Sequence, residues 1–186
     1  MITWKNFKGH LHTILRHKRL VRHYLFRAGL YRQGIMHDWS KYSPVEFWNG
    51  VRYYQDGRRS PNKAEKEDHG YSAAWLHHKG RNRHHFEYWI DLPADASEGL
   101  SGMPMPSRYV IEMFCDRMAA SRNYNMESYN DSFPLAYYEK NKSHYTMHPD
   151  TAALLETLLH KLADEGEDAV FRYIRTQIDW KHSPRH

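Results

Sequence analysis

Apolar residues return along the first helix-length stretch of the chain at three- and four-residue steps. Trp4, Phe7, Leu11, Ile14, Leu15, Val21 and Leu25 form one stripe, which predicts a long amphipathic helix over Trp4–Arg27. Gly29 and Gly34 predict a break, followed by a short helix carrying His37-Asp38. Ser43-Pro44-Val45-Glu46 reads as a fresh helix start. Ser43 caps, Pro44 suits the first helical position, and Glu46 can close a capping box. That helix runs through Phe47, Trp48, Val51 and Tyr54 to Asp56-Gly57. From Gly57 to about Asp68 the residues are mostly Arg, Lys, Glu, Pro and Asn, which predicts a surface loop. Ala74–Trp89 predicts two helical pieces meeting at a turn around Gly80 and Asn82, and Asp91–Pro106 a loop with a small hairpin. Pro106 opens a helix carrying Tyr109, Val110, Met113, Phe114, Arg117 and Ala120. Asn123–Tyr145 leaves room for one short helix around Pro134–Lys142. Leu154, Leu155, Leu158, Leu159 and Leu162 mark an amphipathic helix over Pro149–Glu165, stopped by Gly166, and a last one covers Glu167–Trp180. With no repeat, linker or strand-rich region, the pattern predicts one all-α domain.

Composition sharpens this picture. With 186 residues, 40% of them hydrophobic, the chain can bury a real core. Lys+Arg 27 against Asp+Glu 22 gives a net charge of +5, which favours anionic partners from phosphorylated metabolites to nucleic acid. The absence of a contiguous basic run argues against nucleic acid as the main partner. The single cysteine, Cys115, excludes an internal disulfide and fits a reducing cytoplasm. The opening MITWKNFKGH has no apolar export core, and no run of ~18 apolar residues occurs, so a soluble, cytoplasmic protein without a membrane span is expected.

Fifteen histidines are several-fold more than an ordinary domain carries, and their placement suggests chemistry. On the first helix His10 and His17 lie beside the apolar stripe while His12 and His23 point away, which nominates His17, with His10 behind it. His37-Asp38 puts an imidazole next to a carboxylate. The doublets His77-His78 and His84-His85 flank the Gly80–Asn82 turn, where Trp75, Leu76, Phe86 and Trp89 draw both flanks inward. Asp116 sits at the edge of its helix's apolar stripe, with Glu112 one turn before it. Imidazole nitrogen and carboxylate oxygen suit divalent Fe, Mn, Zn, Ni or Co. His17, His37, Asp38 and Asp116 would hold one ion, and Asp38 could bridge to a second held by His78, His84 and His85. Two such ions, roughly 3.5–4 Å apart, can clamp both oxygens of a phosphoryl displacement. Arg81 and Arg83 could meet a phosphate bidentately, although a solvated turn accounts for them more simply. His69, His144, His148, His160, His182 and His186 are assigned no role.

The order H…HD…H…HH…D on an all-α chain resembles the HD-domain superfamily of metal-dependent phosphohydrolases. His17-Lys18-Arg19-Leu20-Val21 is similar to the family's first-helix H-x-x-x-V, and His37-Asp38-Trp39-Ser40-Lys41 to its HD-x-x-K. More narrowly, HDWSKYSPVEF, AWLHHKGRNRHHFEYW and MPMPSRYVIEMFCDRM resemble blocks of a small bacterial and phage family of unknown function. The resemblance covers roughly Lys8–Met118. It implies a single HD-like helical domain over 1–186, with a metal-site core at about 8–118 and C-terminal helices at 149–180. It further implies one or two divalent transition-metal ions on His17, His37, Asp38 and Asp116 and on the additional histidines His78, His84 and His85. Asp38 and Lys41 would be catalytic, with Lys41, Arg81 and Arg83 toward a substrate phosphate. His17 lies close before His37 for this family, so His10 and His23 remain alternatives, as does His77 for His78. The GYP triplet of the cyclic-dinucleotide branch is absent. The expected activity is hydrolysis of a small phosphate ester, nucleotides included. The alternatives are a di-iron oxygenase of the same superfamily and a non-enzymatic, metal-stabilised binding module.

Overall fold

Thr3 starts the longest helix, its hydroxyl accepting from the Asn6 amide at 3.1 Å. α1 then runs Trp4–Ala28 until Gly29, in the left-handed region at φ 87°, ends it. The computed structural model describes residues 2–57, 59–95, 97, 99–125 and 128–180; His182 and His186 lie outside them. Along α1 follow α2 (Tyr31–Met36), α3 (Pro44–Arg52), α4 (Pro61–His69), α5 (Ala73–Lys79), α6 (Ser107–Asn125), α7 (Phe133–Asn141), α8 (Pro149–Glu165) and α9 (Glu167–Gln177). The expected small hairpin is a two-residue ladder, Ile90 opposite Gly102 and Asp91 opposite Ser101. The fold is all-α and forms one domain.

Its core is a slab in which α6 packs on α1 and α8, and α8 on α9. Val21 and Leu25 of α1, Ile111, Phe114 and Met118 of α6, four leucines of α8, and Val170 and Ile174 of α9 are fully buried. Cys115 is buried in α6 among them, without a disulfide. The C-terminal helices are therefore part of the same core as the histidine-bearing segments. Two glycines let α1 and the α3 region close up. A Cβ on Gly50 would fall 2.0 Å from the His10 ring, and one on Gly9 2.4 Å from Tyr54.

Three sequence expectations are corrected. The stripe of α1 does not bury along its whole length: Trp4 is 67% and Leu15 48% exposed, because the core begins at Ile14 and continues through His17, Val21, Tyr24, Leu25 and Ala28. The 57–68 stretch is not simply a loop, since α4 occupies Pro61–His69. Only Ala64 and Glu65 of that helix are buried, so no apolar period announces it. It is fixed instead by Glu65, whose carboxylate accepts from Asn49 Nδ2 at 2.9 Å, from the Ala73 amide at 3.2 Å and from the Ser72 hydroxyl. Finally, Gly34 breaks nothing. It lies inside α2, where a Cβ would come within 3.0 Å of Phe26.

The hairpin is pinned to the segment before α8 through another glycine. A Cβ on Gly102 would lie 2.4 Å from the His148 amide nitrogen and 2.6 Å from the Met147 carbonyl carbon. Backbone atoms have little room to yield, so Gly102→Ala is expected to cost about 1–3 kcal/mol. A lowered urea midpoint at unchanged slope would register it.

Candidate metal centre

His37 and Asp38 sit at a break in the chain and not on a helix. His37 is the C-cap of α2 (φ −51°, ψ 130°), and Asp38 precedes a 3₁₀ turn over Trp39–Tyr42 in the left-handed region (φ 55°, ψ 33°). An aspartate tolerates that region better than most residues, at a cost of about 1–3 kcal/mol. Asp38 holds an N-cap position but its side chain makes no capping bond. The carboxylate is turned into the interior and is 2% exposed.

There it meets two groups of side chains. His17 from α1, His37, Asp38 and Asp116 from α6 converge in one; Asp38, His78 from α5, His84 and His85 converge in the other. Asp38 belongs to both, one oxygen to each. Its Oδ2 lies 3.2 Å from His37 Nε2 and 3.8 Å from His17 Nε2. Its Oδ1 lies 3.4 Å from both His78 Nε2 and His84 Nε2. Asp116 Oδ1 is 2.9 Å from His17 Nε2 and 3.5 Å from His37 Nε2. Lys41 is the cation beside Asp38 Oδ2 and Asp116 the carboxylate beside His17 Nε2; Asp38 Oδ1 and the Nε2 atoms of His37, His84 and His85 are buried without a hydrogen-bond partner.

Buried polar atoms without partners are costly and rare, so this concentration calls for a ligand. Donors about 2.1 Å from one cation sit roughly 3.0 Å apart at a right angle and about 3.4 Å apart at the tetrahedral angle. Apart from the 3.8 Å His17–Asp38 separation, the distances above lie near this range. The residues fit divalent transition metals, and the buried clusters could hold such ions.

Two further carboxylates orient the rings. Glu112 Oε1 accepts from His37 Nδ1 at 2.9 Å and lies 3.4 Å from His84 Nδ1, while Oε2 accepts from Gln33 Nε2 at 2.8 Å. Glu46 places one oxygen 2.7 Å from His78 Nδ1 and the other 2.7 Å from His77 Nδ1. Of the imidazoles so held, those of His37, His78 and His84 turn Nε2 to the clusters, the arrangement by which outer carboxylates fix metal-binding histidines. Glu46 therefore serves two histidines and not the second half of a capping box, although Ser43 caps α3 at 3.4 Å as expected. Neither Glu112 nor Glu46 is assigned this role from the sequence; the i, i+4 spacing of Glu112 and Asp116 on one helix face was the available signal. Within the doublet, His78 Nε2 faces Asp38, whereas the His77 ring lies against Glu46 and outside the cluster. His77→Ala is expected to leave metal content near wild type and His78→Ala to lower it, as elemental analysis of the two variants would read. Among the alternatives for His17, His10 packs against Phe47 and Tyr54 outside both clusters, and His23 is exposed.

Burial and charge set the protonation of the groups. Burial alone would raise the Asp38 carboxyl, but His37, Lys41 and His78 overcome it and hold it well below the usual carboxylate range. Asp116 is likewise held low against burial by His17 and His37. Burial, then the neighbouring His84 and His78, push the His85 imidazole well down, so it is neutral. Lys41 stays ionised: burial lowers its ammonium, and Asp38 and Asp116 more than restore it. Lys41 Nζ stands 2.5 Å from Asp38 Oδ2.

Two cavities reach the clusters, and they share no lining residue. One of about 300 Å³ is lined by His17, Lys41, His78, His85 and Asp116, with Ser60, Asn62, Trp75, Asn123 and Tyr124 around them. The other, of about 670 Å³, is lined by His37, Asp38, His84 and Glu112 and by Arg81 and Arg83. The candidate phosphate-binding groups are thus divided: Lys41 lies on one side, the two arginines on the other.

The family model described as "Family of unknown function (DUF5662)" matches residues 6–161. The chain belongs to this family. Its match contains every residue of the two clusters, both outer carboxylates and most of α8, and stops before α9. No curated protein and no solved structure matches the chain. Within this DUF5662 member no helix of the described residues is long and apolar enough to cross a membrane.

Proposed function

We propose that the protein is a metal-dependent phosphohydrolase of the HD type, cleaving a small phosphate ester. The observation that carries this reading is Asp38, a buried carboxylate with one oxygen turned to each of two histidine sets. Two divalent cations held by His17, His37, Asp38 and Asp116 and by Asp38, His78, His84 and His85 would supply an acidified water and charge compensation for phosphoryl oxygens. The chain supplies the rest. Lys41, ionised and fixed beside Asp38, meets the anionic ester in the 300 Å³ cavity. Ser60, Asn62, Asn123 and Tyr124 offer hydrogen bonds to the substrate, and Trp75 gives it an apolar wall. Glu46 and Glu112 keep the imidazoles aimed inward. In the reaction, the water oxygen bonds to phosphorus as the ester P–O bond breaks, and the water's proton passes to the departing alkoxide.

The test is phosphate release from a panel of monoesters, nucleoside monophosphates included, by protein loaded with manganese, cobalt, nickel or iron. Lys41→Gln is expected to lower kcat/KM about a hundredfold while metal content is kept. Failure of every metal-loaded form to release phosphate, with dioxygen uptake by the iron form, would overturn the reading in favour of iron-dependent oxidation.

A further inference from the structure

The larger cavity carries a charge that the hydrolytic reading does not use. Arg32 from α2, Arg81 and Arg83 from the turn after α5, and Arg108 from the first turn of α6 all line it. The only carboxylates in its lining are Asp38 and Glu112, and both are engaged with the histidine clusters. Over the whole chain basic residues barely outnumber acidic ones, 27 to 22, so this excess is local. Four guanidiniums from three elements form a setting for phosphate oxygens, which the planar fork of arginine meets bidentately.

Part of the arrangement is held in advance. Trp89 Nε1 donates to the Arg83 carbonyl at 2.8 Å. The Arg83 guanidinium donates to Tyr109 Oη at 3.4 Å and lies over the rings of Tyr88 and Tyr109. Arg81 is exposed and bonds the His77 carbonyl at 3.4 Å. Tyr31, Tyr109 and Trp180 give the same cavity aromatic surface. A volume of about 670 Å³ exceeds what a lone phosphate fills and falls in the range of small-molecule and cofactor sites.

We propose that this cavity binds the diphosphate group of a phosphorylated ligand, at a site separate from the Lys41 cavity. Binding there does not depend on the hydrolytic reading. Its lining includes Glu112, His37 and His84, so an occupant sits next to the groups that border the histidine clusters. If those clusters hold metal, ligand and metal affinities are linked reciprocally.

Calorimetric titration of the full chain with inorganic pyrophosphate and, separately, with ADP at low ionic strength tests the proposal. Binding of at least one probe is expected, weakened tenfold or more in Arg32→Ala/Arg81→Ala and unchanged in Lys41→Gln. Both replaced arginines are exposed, so the variant should fold, and circular dichroism would verify it. ADP binding at least tenfold tighter than pyrophosphate would identify a nucleotide as the source of the diphosphate; equal binding would identify the free anion. No binding of either probe, or binding that Lys41→Gln removes and the arginine variant keeps, would overturn the site.

Discussion

Asp38→Asn is expected to leave the helical fold in place and, on the proposed two-metal hydrolase reading, to abolish binding of both transition-metal ions and ester hydrolysis. Asparagine tolerates the left-handed backbone that residue 38 adopts, so the break between α2 and the following 3₁₀ turn should survive. What changes is the charge and one donor atom. Asp38 Oδ1 and Oδ2 face different histidine sets, and an amide can offer only one oxygen, without the anion that cations require. His17→Ala is the partner experiment, because His17 belongs to one set only. It should cost one equivalent where Asp38→Asn costs two. Elemental analysis beside circular dichroism separates loss of metal from loss of fold. Two equivalents retained in a folded Asp38→Asn protein would end the bridging-carboxylate account.

The fold was legible where burial follows helical period and obscure where polar bonds replace it. α8 announces itself because five leucines recur on one face; its bounds in the chain and in the structure coincide. α4 gives no such signal, since its anchor is one buried glutamate whose partners, Asn49 and Ser72, lie on other elements. The same limit governs the site. Residue type and spacing brought out His17, His37, Asp38, His78, His84, His85 and Asp116, which lie together in the structure, but not Glu112, which forms a third group with His37 and His84. Spacing could not show that Asp38 leaves the helix through a left-handed residue, which is how one carboxylate comes to face two clusters. Nor could it show Glu46 turning from its own helix start toward α5, because a capping box explains the same four residues locally. Lys41, Arg81 and Arg83 look alike as cations in a sequence, and only the fold places them in different cavities.

Glu112 carries the second large effect. One of its oxygens serves His37, from the first cluster, and His84, from the second, while the other is tied to Gln33. Burial would raise its carboxyl, but the bonds and charges of His37 and His84 bring it down to about 2, so it is an anion throughout the range in which metal binds. An anion on Nδ1 fixes the tautomer that leaves Nε2 free and makes that nitrogen a better donor. Glu112→Gln keeps the volume and removes the charge. Because outer-shell partners are worth about 10–100-fold in metal affinity, and this one acts in both clusters, loading of the pair should fall by roughly 10²–10⁴. The shape of the loss is the more telling readout. Both equivalents should weaken together in a metal titration, whereas a brace that merely held α6 in place would lower the unfolding midpoint and leave the two affinities as they were. Glu112→Asp, which keeps the charge on a shorter arm, should recover part of the affinity if the carboxylate acts through the imidazoles, and none if it acts through packing.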